Sequence, residues 1–397
     1  MKMKWMRVCF LSLLASLALL SSAGRAEEYK NPLDPPVRSD DPAWTQAMSF
    51  WDKRSEDSNA KKALEIFKSL AAAHPDQIET ELWLLRANYY AGLNERKHKR
   101  AALLEEAVSH GKKALAREPG NYYALYWMVG AYSHFENLKE IPPEAQALAA
   151  KLPRGRREIP VPADTPEWKN ALALWDARVD REKAWQAAEI FRKLTEQNPQ
   201  SLEAWLWLTR AYYWLGRSGK TPEERKKLFY QGYKYGLEAV KLSPRHPIAN
   251  YWAMCHLARY GELGSFVKKA SLSLEIINLI HLTDLEDPLY YFSGIPNVLI
   301  WCLADTNELT RKLVPTLLGI PADMRQTLKI AFVLEPNYFD VRVGFVKWYI
   351  SIKDYRNARE EINYILNTPA NSLRGYEAEN ILSQDIARDL LEQIKDK

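Results

Sequence analysis

Residues 203–216 read EAWLWLTRAYYWLG, which places three tryptophans and two tyrosines within fourteen residues. At about 100° per residue, the apolar positions form two stripes on a helix, one through Leu208 and the other through Trp207. A helix that is apolar on two sides is covered by neighbours on both. The stretch therefore predicts a helix inside an all-α protein, with most of its rings engaged in packing and the remainder available to a groove.

The same stretch has a counterpart 124 residues earlier in the chain. Residues 42–92 align with residues 166–216 without a gap, and 21 of the 51 positions are identical. With one inserted residue, the similarity continues from His110 onto Tyr235. A self-similar sequence must be recognised before a fold is assigned, because each unit repeats one arrangement of helices. The sequence predicts two copies with the same layout, in which Trp83 and Trp207 are equivalent and buried.

A shorter pattern of helix pairs lies inside each copy. The stretch 203–216 of the second copy follows AWxxLxxAYYxLG, the pattern of a first helix. Second helices carry an alanine, a bulky residue and a final proline, as in Ala63, Phe67 and Pro75. This pattern resembles the tetratricopeptide repeat (TPR). A single pair cannot bury its own apolar face. The resemblance therefore implies an all-α fold of TPR-like helical hairpins stacked into a superhelix, with an internal duplication.

The second copy carries an insertion between its helices, RSGKTPEERKK, at residues 217–227. Thr221 followed three residues later by Glu224 is typical of a capping box, in which each side chain accepts a backbone N–H. The insertion therefore predicts a new helix that begins beside Thr221.

The N-terminus has the pattern of a secretory signal. Residues 1–26 contain basic residues, then an apolar run from Val8 to Leu20, then small residues ending at Ala26. This run is too short for a membrane anchor, and Cys9 does not lie at a lipoprotein cleavage position. We expect a mature chain without a membrane span, exported across the inner membrane and located in the periplasm.

Charge and cysteine content limit the partners. Of the 55 Lys and Arg residues, four lie in the predicted signal, which leaves 51 against 50 Asp and Glu residues. A nearly neutral mature chain gives no electrostatic argument for nucleic acid. The mature chain keeps Cys255 and Cys302, and two alternatives stay open for them: a disulfide, or two separate buried thiols.

No catalytic, metal or cofactor motif is present in the sequence. There is no His-x-x-x-His pair, nucleophile elbow, phosphate loop or dinucleotide fingerprint. Adjacent glutamates lie among lysines and arginines in helical patterns, which indicates solvated helix faces. The sequence predicts a protein that is not an enzyme and carries no metal or cofactor, although carboxylates far apart in sequence could still converge.

The last third resembles a second family. Its YYFSGIPN turn and its closing EAENILSQDIARDLLEQ are similar to the T component associated with TRAP transporters (the TatT family) over residues 170–395. That family's Gly-Gly-Pro is here Gly-Ile-Pro. The matching positions in the closing helix are Glu379, Asn380, Ala387, Leu390 and Leu391. The resemblance implies a candidate ligand or partner site at Tyr290, Tyr291, Gly294 and Pro296.

These patterns predict a non-enzymatic scaffold or adaptor, and the T-component resemblance implies that a periplasmic solute-binding protein is its partner. One alternative is a carrier of a small hydrophobic or organic-acid ligand in an aromatic cavity near Tyr291. Another is a hydrolase with a helical toroid, which needs acids facing each other across a cavity. The expected divisions are a signal peptide (1–26), a first TPR-like copy (27–150), a Pro-rich basic linker (151–165), a second copy (166–262) and a C-terminal helical portion with a further TPR-like pair (263–397).

Overall fold

A computed structural model of the protein describes residues 30–38, 41–56, 58–95, 97–134, 142–152, 159–264, 266–288 and 334–397. Throughout these ranges the regular structure is helical, and consecutive helices pack as antiparallel hairpins that stack along the chain. The fold is thus the all-α, TPR-like superhelix with an internal duplication that the sequence predicts. The helices are α1 (Pro42–Trp51), α2 (Asn59–Ala73), α3 (Ile78–Leu93), α4 (Lys97–Arg117), α5 (Tyr122–Ser133), α6 (Pro143–Lys151), α7 (Pro166–Asp176), α8 (Arg181–Gln197), α9 (Leu202–Arg217), α10 (Pro222–Leu242), α11 (Pro247–Glu262), α12 (Phe266–Glu286), α13 (Phe339–Ser351), α14 (Tyr355–Asn367) and α15 (Glu377–Gln393).

The two copies use the same five helices in the same order, α1 to α5 and α7 to α11. Their aromatic packing is also the same. Trp83 stacks on Phe67 at 5.0 Å between ring centroids, and Trp207 stacks on Phe191 at 5.5 Å. Both tryptophans are buried, as predicted.

A pair of equivalent hydrogen bonds fixes the strap that enters each copy. The indole N–H of Trp83 donates to the carbonyl of Pro36, and that of Trp207 donates to the carbonyl of Pro160, both at 3.0 Å. Ile159, in the same strap as Pro160, is buried. Part of the segment expected to be a solvated linker therefore packs against the second copy.

The five aromatic rings of the stretch 203–216, which spans most of α9, differ in their exposure. Trp207, Tyr213 and Trp214 are buried, whereas Trp205 and Tyr212 are partly exposed. All five rings contact core residues, so the prediction that most of them serve packing is confirmed. The two partly exposed rings form part of a surface described below.

The stretch 217–227 contains the predicted cap, and its residues 222–227 form the first turns of α10. Thr221 Oγ1 accepts the backbone N–H of Glu224 at 3.1 Å, which satisfies a donor at the start of α10. The Glu224 carboxylate accepts the backbone N–H of Lys220 at 2.7 Å. The capping box is therefore present, with Lys220 as the residue whose N–H the glutamate accepts.

The C-terminal third completes the stack. Helices α13 and α14 form a further hairpin, and α15 packs on both. A separate apolar cluster joins them, including Phe339, Ile362 and Ala387 at nearly zero exposure. Cys255 is buried within α11, whereas Cys302 lies outside the described residues, so both cysteine alternatives stay open.

Candidate functional site

The residues predicted to form a ligand or partner site lie outside the described residues, in the segment 289–333. The segment begins after Pro288, whose ring packs against Gly130: a Cβ added to that glycine would lie 2.6 Å from Pro288 Cγ. The close approach explains glycine at this position. The residues concerned are Tyr290, Tyr291, Gly294 and Pro296.

A buried glutamate lies at the centre of the first copy. Glu286, the last residue of α12, accepts from Arg54 Nη2 at 3.0 Å and from Arg86 Nη2 at 2.8 Å. Arg245 Nη2 lies 2.7 Å from its other oxygen. Asn31 donates a side-chain N–H to the same carboxylate at 3.4 Å. We refer to these five residues as the first carboxylate site.

The surroundings of Glu286 keep it ionised. Burial alone would raise the pKa of its carboxyl group, but the three arginines outweigh that effect and lower the pKa to about 2. The guanidinium groups of Arg54 and Arg86 also lie 5.0 and 4.9 Å from the ring centroid of Trp51. Cation–π contacts of this kind stabilise cations that have been removed from water. The site is therefore a desolvated ion cluster that anchors α12 to the first copy.

The residues that flank Glu286 are held in the same way. Tyr89 donates its hydroxyl to the carboxylate of Asp284 at 3.0 Å, and His134 Nε2 lies 2.9 Å from the same carboxylate. The Tyr126 hydroxyl donates to Asp287. The acidic segment 284–288 is thus fastened to the first copy by side chains of α3 and α5 and by His134.

The second copy repeats this arrangement with a different glutamate. Arg178, the counterpart of Arg54, binds Glu379 of α15 through Nε at 3.2 Å and through Nη2. It also donates to the carbonyl of Gly375 at 2.7 Å. Both arginines donate to the carbonyl of the tryptophan three residues earlier, each at 3.2 Å. We refer to Arg178 and Glu379 as the second carboxylate site.

Arg210 corresponds to Arg86, and like Arg86 it lies among aromatic rings. Its guanidinium carbon is 5.1 Å from the centroid of Trp175, 5.3 Å from that of Trp207 and 5.1 Å from that of Tyr376. The aromatic cage keeps the Arg210 guanidinium buried beside the chain that leads into α15.

Asn380, next to Glu379, ties three segments together. Its amide group donates to the carbonyls of Asn337 and Ala370 at 3.0 and 2.9 Å, and its oxygen accepts the backbone N–H of Phe339 at 3.1 Å. The Glu-Asn pair on which the family resemblance depends therefore has a structural task. It fastens α15 to the second copy and to α13.

A patch of partly exposed aromatic rings is peculiar to the second copy. Trp185 contacts Tyr212 at 5.9 Å, Tyr212 contacts Tyr235 at 4.9 Å, and Tyr235 contacts Trp205 at 6.1 Å, measured between ring centroids. We refer to these four residues as the aromatic patch. The equivalent positions of the first copy are Lys61, Glu81, Asn88 and His110.

In the first copy the equivalent positions are polar, and two of them, Glu81 and Asn88, are buried. His110 Nδ1 lies 2.6 Å from Glu81, and Lys113 lies 3.9 Å from the same carboxylate. Asn88, in place of Tyr212, is fully buried, and its amide atoms have no hydrogen-bond partner among the described residues. The two copies thus carry aromatic side chains in one case and polar side chains in the other at equivalent positions.

Sequence reasoning missed both carboxylate sites, because their arginines and glutamates are far apart in sequence. One signal was available: Arg54 and Arg86 are identical in the second copy, although they lie within otherwise apolar helix patterns. Within the described part of the chain, His, Cys, Asp and Glu residues nowhere group in a way suited to a metal ion. In that same part, no helix is long and apolar enough to cross a membrane.

Stacked helical hairpins define the class of the protein, a TPR-like helical-repeat protein. The model of the family described as regulator of microtubule dynamics protein 1-3 matches residues 170–395, more than half of the chain, and the chain belongs to this family. The match names a different family from the TRAP transporter T component, so that resemblance remains a proposal.

Two solved structures are similar to this chain. One is TTC0263, a thermophilic TPR protein of Thermus thermophilus, with 16% identity, 75% of this chain and 99% of that chain covered, and a TM-score of 0.21. The other is yeast Tom70, with 15% identity, 88% and 96% covered, and a TM-score of 0.20. No curated protein matches the chain. The fold assignment rests on the helices themselves.

Proposed function

We propose that the protein is an exported, non-enzymatic scaffold that binds another protein through the aromatic patch of its second copy. The observation that carries the proposal is the contrast between the copies. Four partly exposed rings stand where the first copy has lysine, glutamate, asparagine and histidine. Tryptophan and tyrosine dominate the energetics of protein interfaces because they bury a large area and lose little side-chain entropy.

The geometry of the patch suits a protein surface. Each ring contacts the next at 4.9–6.1 Å, so the rings hold one another in place before any partner arrives. The indole N–H of Trp205 donates to the carbonyl of Pro199 at 2.9 Å, which fixes that ring further. Preorganised side chains lose less entropy on binding.

The partner that we propose is a periplasmic solute-binding protein of a TRAP-type transporter. The support comes from the sequence: the signal-like residues 1–26 and the similarity of residues 170–395 to the T component. The matched family is described by its effect on microtubule dynamics. The present proposal depends on the patch and on the N-terminal pattern.

The carboxylates of Glu286 and Glu262 argue against the hydrolase alternative. Glu286 and Glu262 both have a pKa lowered to about 2, because neighbouring arginines outweigh the effect of burial. A glycosidase needs one carboxyl group whose pKa is raised, so that it is protonated and can act as a general acid. These two glutamates are suited to ion pairs.

The test replaces the patch by the residues of the first copy, in the variant Trp185→Lys, Trp205→Glu, Tyr212→Asn and Tyr235→His. The first copy carries those residues at the equivalent positions, so we expect the variant to keep the helical fold, although the loss of ring contacts should lower its melting temperature. Binding of purified solute-binding proteins of TRAP-type systems, measured by surface plasmon resonance, should weaken at least about tenfold.

The matched control is Lys61→Ala, which changes the equivalent position of the first copy. It should leave both the melting temperature and the binding unchanged. Full binding by the fourfold variant, or no binding of any such solute-binding protein by the unaltered chain, would contradict the proposal.

A further inference from the structure

The protein binds two proline-rich segments of its own chain through tryptophan side chains. The straps that enter the two copies are not helical and contain the sequences DPPV and IPVP. Trp83 donates its indole N–H to the carbonyl of Pro36 in the first strap, and Trp207 donates to the carbonyl of Pro160 in the second. Both copies thus hold a proline-rich segment by the same contact, an indole N–H that donates to a proline carbonyl.

The hydrogen-bonding capacity of the two partners explains this contact. The indole of tryptophan is a donor only. Proline has no backbone N–H, so a proline-rich segment brings carbonyl acceptors without donors that would be left unpaired. In a polyproline II (PPII) helix the carbonyls make no internal hydrogen bonds, whereas in an α-helix most of them are already bonded. An exposed indole N–H therefore favours a PPII segment over a helical one.

The aromatic patch carries such an indole at the surface. Trp185 is partly exposed, and its N–H donates to no acceptor in the part of the chain that the structure describes. The second indole of the patch, that of Trp205, already donates to the carbonyl of Pro199 at 2.9 Å. Trp185 therefore supplies the donor that remains for a partner.

The rings of the aromatic patch lie across three consecutive helices. Trp185 belongs to α8, Tyr212 to α9 and Tyr235 to α10, and α8 and α10 both pack on α9. The centroids of consecutive rings are 5.9 and 4.9 Å apart. One turn of a PPII helix rises about 9 Å, which is longer than either spacing. A PPII segment that crosses the three helices therefore meets at least one ring in each turn.

Ion pairs flank these rings. Arg192 and Glu189 both influence the hydroxyl of Tyr212, and they bind each other at 2.6 Å. Arg181 lies 6.0 Å from the centroid of the ring on α8 and 2.5 Å from Glu224. An acidic or a basic segment would have to compete with these pairs, whereas an uncharged segment would not. Charge complementarity therefore favours an uncharged segment.

We propose that the aromatic patch binds a proline-rich segment of its protein partner in the PPII conformation. The aromatic rings pack on the prolines of the segment, and Trp185 donates its indole N–H to a carbonyl, as Trp83 and Trp207 do to the straps. The first copy has Lys61 at the position of Trp185 and lacks this donor. The inference rests on the proposed function, because it names the kind of segment that the scaffold receives.

The experiment is fluorescence polarisation of a labelled ten-residue polyproline peptide titrated with the full chain. A Gly-Ser peptide of the same length and with the same label is the reference. We expect polyproline to bind at least about tenfold more tightly than the reference. Because the contact is uncharged, the affinity should change less than about twofold between low and physiological ionic strength.

The variants separate the donor from the rings. Trp185→Phe keeps a ring but removes the N–H, and it should weaken polyproline binding about fivefold, the effect of one hydrogen bond. The fourfold variant that carries the residues of the first copy should weaken it at least about tenfold. Tyr230→Glu is the matched control, since Tyr230 is an exposed ring of α10 outside the aromatic patch and Glu105 is its counterpart in the first copy. It should leave the binding unchanged.

Several results would overturn the proposal. Equal affinity for polyproline and the Gly-Ser peptide would exclude a proline site. Unchanged affinity in Trp185→Phe would remove the indole contact, and an equal loss in Tyr230→Glu would show that any exposed ring binds the peptide. A dimer of the unaltered chain in sedimentation, absent in the fourfold variant, would assign the aromatic patch to contact between two copies.

Competition separates this inference from the proposed function. Polyproline should displace a bound solute-binding protein in the surface plasmon resonance experiment. If the fourfold variant loses the solute-binding protein but polyproline does not displace it, the patch is an interface and the proline-rich segment is wrong. If the fourfold variant loses polyproline but keeps the solute-binding protein, the proposed function is wrong and the PPII site is retained.

Discussion

The two copies share their inner aromatic packing but differ in the charged groups that lie on it. Trp83 and Trp207 are buried, stacked on equivalent phenylalanines and bonded to equivalent proline carbonyls. In the first copy, arginines surround a glutamate that the chain itself supplies from α12. In the second copy, the corresponding arginine, Arg178, binds a different glutamate, Glu379 of α15.

The difference follows from what each feature contributes to stability. Aromatic packing is needed wherever one hairpin stacks on the next, because an unstacked hairpin exposes its apolar face. Charged side chains on the same helices stabilise the fold only where another segment of the chain packs against them. After a duplication, the stacking residues are therefore constrained in both copies, whereas the charges can change with the segment that each face receives.

The largest expected effect concerns the buried tryptophan that both copies share. Trp83→Ala and Trp207→Ala should each lower the free energy of unfolding by about 3–5 kcal/mol, because each removes a large, fully packed ring. Urea denaturation measures both values. Trp185→Ala is the control, since that ring is partly exposed, and it should cost less than about 2 kcal/mol. A cost below about 1 kcal/mol for Trp83 or Trp207 would contradict their role in the core.

The next effect tests the first carboxylate site through pH. The pKa of Glu286 is lowered from 4.5 to about 2 in the folded chain, so the unfolded chain takes up the proton first as the pH falls. The stability that this residue contributes is complete above about pH 5 and is lost as the pH falls towards 2. Its size is on the order of 3 kcal/mol.

Glu286→Gln isolates this contribution. At pH 7 the variant should be less stable by about 3–5 kcal/mol, because buried arginines lose their partner. Between pH 5 and pH 3 its stability should fall less than that of the unaltered chain, and urea denaturation at each pH measures the two slopes. Glu106→Gln, at an exposed position, serves as the control. If the free energy of unfolding of Glu286→Gln depends on pH in the same way as that of the unaltered chain, the folded structure does not lower the pKa of Glu286.

The helical layout could be predicted from the sequence because its signals are local or repeated. The small residue at Ala63, the ring at Trp83 and the cap at Thr221 each act within one hairpin, and most of them occur twice. Helix pairs with this spacing have few other ways to bury their apolar faces. The same alignment shows where the copies differ, at Trp205 against Glu81 for example.

The carboxylate sites could not be predicted in the same way. Glu286 and Arg54 are 232 residues apart, and nothing in the residues around Glu286 distinguishes it from a solvated glutamate. The family resemblance points to Glu379 but gives no indication of its partner, Arg178. An ion pair between distant segments depends on the path of the superhelix, which no local pattern encodes. The predicted site at Tyr290, Tyr291, Gly294 and Pro296 remains a prediction.

The smallest expected effect concerns the contact between Gly232 and His256, two positions at which the copies differ. In α10 and α11, Gly232 lies against His256, and a Cβ on the glycine would lie 1.9 Å from His256 Cε1. His256 is fully buried and donates from Nε2 to the carbonyl of Thr209 at 2.9 Å. The first copy has alanine at both equivalent positions, Ala107 and Ala131. Compared with the first copy, the second copy has the larger histidine in place of one alanine and the smaller glycine in place of the other.

Gly232→Ala should therefore lower the free energy of unfolding by about 1–3 kcal/mol, since the imidazole has no room to move. When His256→Ala is already present, the same change should cost nothing or stabilise the helix by up to about 1 kcal/mol, because alanine favours helix over glycine. Urea denaturation of the four chains gives the coupling between the two positions. Gly120→Ala is the control, since no atom lies within 4 Å of its added Cβ. If Gly232→Ala costs the same with and without His256, the two copies do not differ by a compensating exchange of volume.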